Sequence, residues 1–227
     1  RHLLAMGYLT PLRAGDINAS QQYDTSGLKV QSNGRYSEAT VRSAFEGWGR
    51  KTAAIVADVV ANTQDATGVM LFAATVKHTQ EVMASLHPDN SRLVTGETPK
   101  AERKQIIDDF NAGRFLYLVS VGTLTTGFDS PRVSHIAILR ATESVSLLQQ
   151  IMGRGMRLYP GKEECIIYDY AGNIEKHCPD GDLYRPQIKA SYQSVEGQMI
   201  ECRCEDCGKF NVFKARPNDG GYEIDEY

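Results

Sequence analysis

Gln150-Ile-Met-Gly-Arg-Gly-Met-Arg157 is the stretch on which the reading of this chain turns. It lies in a segment patterned as a helix from about Ser144 to Leu158. Wound at 100° per residue, Gln150, Gly153, Arg154 and Arg157 fall on one side. Val145, Leu148, Ile151, Met152 and Met156 fall on the other. The apolar side has a core to pack on. The polar side carries two arginines one turn apart, and no acidic residue lies between Ser144 and Lys162 to pair with them locally. Like charges at that spacing repel, so the arrangement invites an anion from outside the helix, a solvated basic face being the alternative. Guanidinium groups suit phosphate because they stay charged and bind it through two parallel hydrogen bonds.

Outward from this helix, two element types alternate. Lys51–Thr67 reads as a helix with Ile55, Val56 and Val59 inward, broken by Gly68. Val69–Ala73 is an unbroken apolar run, the pattern of a strand buried on both faces. Thr75 is placed to cap a helix reaching about Leu86, and Arg92–Val94 is a short strand. Thr98-Pro99 predicts a cap with proline at the first helical position, the helix running to about Asn111 with Ile106, Ile107 and Phe110 inward. Gly113 stops it; Phe115–Val121, Ser134–Leu139 and Cys165–Tyr168 are further strands. Short strands alternating with longer helices predict an α/β fold, a parallel sheet sandwiched by helices, over residues 51–172. Ligands of such sheets gather at the carboxyl ends of strands.

The flanks read differently. Residues 1–50 are a polar connector with one docking helix, capped by Ser37, with Val41, Ala44, Phe45 and Trp48 on one face. Residues 173–227 form a polar linker and a small appendage containing Cys202, Cys204 and Cys207. The chain has 227 residues and a net charge of −3, so any nucleic-acid binding must come from a local patch. No apolar run is long enough for a membrane span, and the start is not a signal peptide. Five cysteines, three of them clustered, suggest metal chemistry in a reducing compartment rather than a disulfide framework. We therefore expect no membrane partner and a cytoplasmic protein. A chain that opens on Arg is expected to be a piece of something longer.

Four segments stand in order: Val69-Met-Leu-Phe-Ala-Ala-Thr75; Leu93-Val-Thr-Gly-Glu-Thr-Pro-Lys-Ala-Glu-Arg103; Leu118-Val-Ser-Val-Gly-Thr-Leu-Thr-Thr-Gly-Phe-Asp129; and Gln150-x-x-Gly-Arg-x-x-Arg157. Together they resemble the second RecA-like domain of a superfamily 2 helicase, with its motifs IV, V and VI. The details Thr142-Glu-Ser-Val-Ser-Leu and Tyr168-Asp-Tyr-Ala-Gly-Asn173, with cysteines beyond, resemble most closely the RadD-type bacterial DNA-repair helicases. Type I and III restriction translocases are more distant relatives.

The resemblance implies a P-loop-NTPase-like fold without the P-loop, and roles for particular residues. Arg154 and Arg157 match arginines that reach across a cleft to ATP phosphates, and Gln150 matches the polar position opening that motif. Gly127 and Asp129 match a pair near the ribose and the interdomain contacts. Thr75, Gly96, Thr98 and Thr125 fall where a nucleic-acid backbone is tracked. Ser120-Val121 departs from the Ala-Thr of the RNA-helicase branch and favours DNA, single-stranded or branched. Neither a Gly-x-x-x-x-Gly-Lys-Ser/Thr loop nor an Asp-Glu-x-His/Asp box occurs in this sequence. In the family these belong to the first RecA-like domain and hold most of ATP and Mg2+, so this chain is expected to bring half an active site and to be inactive alone. A non-catalytic nucleic-acid-binding module with a RecA-like shell and a zinc ribbon stays open as the alternative, as does a restriction-type translocase. Cys204-x-x-Cys207-Gly is a zinc-knuckle half site; Cys202 and Cys178 would complete it, unless further ligands lie beyond Tyr227. Cys165 reads as an inert core residue, and His78 and His135 as surface or packing residues.

Overall fold

The computed structural model describes residues 2–121 and 128–187, together with the backbone of four short strands between 199 and 223. The chain divides into two units, Arg1–Ile188 and Lys189–Tyr227. In the first, α1 (His2–Ala5) precedes β1 (Leu12–Ala14), α2 (Glu38–Phe45) and α3 (Gly49–Ala61). The alternation follows: β2 (Val69–Ala73), α4 (Val76–Ala84), β3 (Ser91–Val94), α5 (Lys100–Asn111), β4 (Tyr117–Val121), β5 (His135–Leu139), α6 (Val145–Gly153), β6 (Cys165–Asp169) and α7 (Asn173–His177). The strands form one six-stranded sheet in the order β1-β6-β5-β2-β4-β3, parallel throughout.

Period-two alternation explains the two cores. Met70 and Phe72 of β2, Leu118 of β4 and Ile136 and Ile138 of β5 meet Phe110 of α5 and Leu148, Ile151 and Met152 of α6. Their neighbours Val69, Leu71, Val119, Ala137 and Leu139 face the other way, onto Ile55, Val56 and Val59 of α3 and Val82 of α4. With both faces covered, β2 and β5 are buried at every residue, which is why β2 reads as an unbroken apolar run and β5 as one after its first residue, His135.

Three departures from the sequence reading have a visible cause. α3 ends at Ala61 rather than Thr67 because side chains take its last carbonyls: Asn62 Nδ2 donates to Asp58 O, Thr63 Oγ1 to Val59 O and Gln64 Nε2 to Val60 O. Thr98 does not cap α5; its Oγ1 turns back to accept from Thr95 N at 2.9 Å, and Pro99 stands at the cap position. The helix expected to run to Leu158 stops at Gly153, and Arg154–Met156 form one tighter 3-10 turn before an extended Arg157. Gly155 is the cause. It lies against the first residue of β6, where a Cβ would sit 2.9 Å from Cys165 Cβ and collide with its sulfur.

Residues 1–50 are bound into this unit. β1 extends the sheet beside β6, and Tyr23 and Phe45 are buried in the second core. A buried polar chain pins them. His78 Nδ1 accepts from Ala74 N at 3.2 Å, which leaves Nε2 to donate to the Tyr23 hydroxyl at 2.8 Å. Tyr23 then donates to Thr52 Oγ1 at 3.1 Å, and Thr52 to Glu81 Oε2 at 3.2 Å. His78 is fully buried, as expected of a packing residue, and burial holds its pKa down at about 4, against 6.5 ordinarily. Its contribution to stability is complete above the unfolded value and is lost as pH falls from about 6.5 towards 4. That amounts to roughly 3 kcal/mol. Urea midpoints of the parent and of His78→Gln, measured at about pH 7 and about pH 4.5, should show the parent's advantage shrinking at the lower pH; an advantage that persists unchanged would contradict the buried neutral imidazole.

The second unit has two antiparallel pairs, β7 (Met199–Arg203) with β8 (Phe210–Lys214) and β9 (Arg216–Asn218) with β10 (Gly221–Glu223). The alternating run Phe210–Phe213 lies within β8. Among the described residues no helix is long and apolar enough to cross a membrane.

Candidate functional site

The parallel sheet brings the carboxyl ends of its strands to one rim, but the arginines are not on that rim. α6 starts at the carboxyl end of β5 and runs back along the first face, so residues 154–157 arrive where β6 and β1 begin. Thr10 N donates to Met156 O at 2.8 Å and Thr10 Oγ1 to Arg157 O at 2.9 Å, just before β1. The expected grouping of every candidate at strand ends is therefore split into two places, a face and a rim.

On the face, the segment leading into β5 supplies the partners that α6 lacks locally. Arg157 Nε lies 2.6 Å from Asp129 Oδ1. Arg154 Nη1 donates to Phe128 O at 3.1 Å, and its guanidinium stands 6.0 Å from the centre of the Phe128 ring. The structure thus joins Asp129, Arg154 and Arg157, which the sequence places in separate motifs. Gln150 is exposed one turn earlier, its amide 3.4 Å from Ser146 Oγ. Burial lowers the Arg154 pKa first and repulsion by Arg157 second, with Asp129 acting the other way. Two partly exposed cations, Arg157 paired with Asp129 and Arg154 with the Phe128 carbonyl, could receive a further anion. They fit a phosphate chain: both guanidiniums are oriented before a ligand arrives, which lowers the ordering cost of binding.

Lys162 belongs to this assembly, and nothing in its sequence context marks it. Its ammonium donates to Pro131 O at 2.8 Å and to Val133 O and Gly155 O, both at 3.0 Å. It fastens the segment carrying Asp129 to the turn carrying Arg154, and burial lowers its pKa. A groove of about 930 Å³ runs beside α5 from Thr98 to Asp129, lined also by Lys100, Arg103 and Lys104.

On the rim, Thr75 caps α4 by accepting from His78 N at 3.0 Å and donates to Glu46 Oε1 at 2.8 Å. Gly96 is exposed in a loop whose carbonyls at Thr95, Gly96 and Thr98 all receive Arg103 Nη2. Thr125 and Gly127 lie outside the described residues. The Thr142 and Asp169–Asn173 segments meet in a buried polar knot. Asn173 Oδ1 accepts from Thr142 N at 2.6 Å, while its amide donates to Arg140 O at 2.9 Å and Asp169 Oδ1 at 2.8 Å. Burial pushes the Asp169 carboxyl up, and hydrogen bonds from Ile174 N, Asn173 and Ala171 N oppose that shift.

Of the metal candidates, Cys204 and Cys207 lie outside the described residues and Cys202 is placed only as backbone in β7. Cys178 is buried in the first core, its thiol pushed up by burial. Cys165 is buried too, with a thiol pushed up to about 12, the inert state expected of it. Among the described residues no three His, Cys, Asp or Glu side chains gather as metal ligands would.

Residues 51–159, from α3 through Arg157, match the model of the helicase conserved C-terminal domain. This segment is a superfamily 2 helicase C-terminal domain. A protein of Saccharomyces cerevisiae named as the ATP-dependent helicase IRC3 is 38% identical over 106 residues, 45% of this chain and 15% of that protein. UvrABC system protein B of Caldicellulosiruptor bescii is 34% identical over 112 residues, 47% of this chain and 17% of that protein. Among solved structures, a fragment of an HsdR subunit of a type I restriction enzyme from Vibrio vulnificus superposes with a TM-score of 0.63 at 25% identity, over 83% of this chain and 37% of that one. This chain thus spans only a minor part of the length of each of these relatives.

Proposed function

We propose that this helicase C-terminal domain supplies Arg154 and Arg157 to an ATP site shared with an N-terminal RecA-like domain of the same protein, in a motor that moves on DNA. The observation carrying this reading is the joining of Asp129, Arg154 and Arg157 on one face, with Arg157 Nε 2.6 Å from Asp129 and Arg154 on the Phe128 carbonyl. Bound ATP, with Mg2+ held mainly by the other domain, would supply the phosphoryl group whose charge these guanidiniums meet. Asp129 keeps Arg157 aimed while the cleft is open, and Gln150 lines its edge. Arginines borrowed from a second domain make hydrolysis wait for domain closure, which couples chemistry to movement. Residues 51–172 are then the RecA-like body, 1–50 the connector and 173–227 an appendage able to hold zinc. A cytoplasmic repair role follows the RadD-type and UvrB likenesses. A restriction-type translocase is the second reading, favoured by a likeness to HsdR that extends well beyond residues 51–159.

The split site is tested on the isolated chain. Purified residues 1–227 should show no ATP turnover above a buffer blank, with or without DNA. Turnover that disappears in an Arg157→Ala preparation would place a whole active site in this chain and overturn the proposal.

A further inference from the structure

Just past the arginine turn, Tyr159-Pro160-Gly161-Lys162 reverses the chain. Lys162 N donates to Tyr159 O at 3.0 Å, and Gly161 takes the left-handed conformation, φ 77°, that follows proline in a type II turn. This turn brings the Lys162 side chain back to Gly155. An ammonium has three N–H donors. Three main-chain carbonyls converge on this one, Pro131 O at 2.8 Å and Val133 O and Gly155 O at 3.0 Å.

The carbonyls belong to the two halves of the Asp129–Arg157 site. Gly155 is the middle of the turn Arg154–Met156. The next two carbonyls are also held, Met156 O by Thr10 N at 2.8 Å and Arg157 O by Thr10 Oγ1 at 2.9 Å. Pro131 and Val133 lie in the segment that brings Asp129, and that segment is anchored on α5 as well. Asn111 Nδ2 donates to Asp129 O at 3.1 Å and Arg132 Nη1 to Phe110 O at 2.5 Å. Of these donors, only Lys162 reaches both halves. The Arg157–Asp129 ion pair cannot replace it. Its side chains are 39% and 67% exposed, and an exposed pair contributes little against the ordering of two long side chains.

We propose that Lys162 is a positioning residue for the arginines: its ammonium sets the distance between the Asp129 segment and the turn, so that Arg154 and Arg157 are aimed before a nucleotide arrives. It acts through the main chain and not through its charge. The role rests on the ATP-site reading above; the three-carbonyl tie does not. Burial lowers the Lys162 pKa and repulsion by Arg157 adds to the shift, with Cys165 opposing. The carbonyl dipoles are what keep a cation there. Arginine at this position would retain the charge, but its planar fork cannot direct three donors of one nitrogen onto converging acceptors. Lys162→Arg therefore separates position from charge.

Two measurements decide it, one of them independent of motor activity. In the 227-residue chain, the NMR resonance of the Arg157 Nε–H, assigned by its loss in Arg157→Lys, reports the pairing with Asp129. Lys162→Met and Lys162→Arg should each move it to the position of a solvated arginine while the methyl resonances of the sheet stay in place. A parent-like Arg157 resonance in either folded variant overturns the tie. Loss of the sheet resonances in both makes Lys162 a residue of the fold alone and overturns the proposal. In the longer protein, Lys162→Met should lower DNA-stimulated turnover about tenfold with the ATP dissociation constant unchanged, and Lys162→Arg should not restore it. In an Arg154→Ala, Arg157→Ala background, Lys162→Met should cost less than about twofold. Equal losses in both backgrounds, or full turnover in Lys162→Arg, overturn the positioning role and leave the motor reading standing. Near-normal turnover in Arg157→Ala alone overturns the motor reading and the role with it, while the resonance still reports the tie.

Discussion

Alanine at position 155 destabilises the chain by about 3 kcal/mol, among the largest effects expected of a single methyl group. The added carbon would collide with the Cys165 sulfur, sit 2.9 Å from Cys165 Cβ and approach Ile136 Cδ1 at 3.3 Å. These neighbours are in β6 and β5, fully buried in the sheet, and have no room to withdraw. The 3-10 turn must lift instead, and it carries Arg154 while Lys162 and Thr10 hold its carbonyls. Equilibrium urea unfolding measures the loss. Cys165→Gly, which removes the obstructing side chain, should recover a large part of it in the double variant, giving a coupling of more than about 1 kcal/mol. A Gly155→Ala protein within about 0.5 kcal/mol of the parent would mean that the turn does not rest on β6.

That contact shows where the sequence could be read and where it could not. Val69–Ala73 and the strands beside it were legible because burial on both faces leaves few polar positions in them, Ser120 and His135 being the exceptions. The order of helices and strands followed, and with it the parallel sheet. The end of α6 was not legible, because helical periodicity records which residues avoid water and not how closely a neighbouring strand approaches. The signal available was two poor helix formers, Gly153 and Gly155, within three residues. Leu12–Ala14 was missed for a similar reason: a short edge strand with Arg13 at its centre has no apolar run to declare it.

The site was legible by residue type but not by arrangement. Arg154, Arg157 and Asp129 were all identified, yet the lack of an acid near the arginines suggested cations without a partner. The partner arrives from 28 positions earlier, a tertiary contact between Arg157 and Asp129 that local spacing cannot reveal. Lys162 was invisible because a lysine beside a Pro-Gly turn reads as solvent-facing. Thr75 was read as a helix cap, which it is, but its donation to Glu46 is a tertiary contact that spacing does not reveal.

Arg157→Ala in the longer protein should lower DNA-stimulated ATP turnover by at least about a hundredfold, since an arginine meeting the transferred phosphoryl group contributes on the order of 10³–10⁵ in rate. On the proposed split site ATP affinity should change little, because the other RecA-like domain would hold most of the nucleotide. Arg157→Lys should recover only part of the loss: it keeps the charge without the planar two-pronged donor. Global unfolding would not explain the defect, since the Asp129 carboxylate left behind is 67% exposed and solvated. The most direct test of the account is therefore one paired measurement, the DNA-stimulated turnover and the ATP dissociation constant of Arg157→Ala beside the parent. The expected result is turnover down by about two orders of magnitude or more with the dissociation constant nearly unchanged. Near-normal turnover would contradict it, and would reduce Arg157 to a structural partner of Asp129.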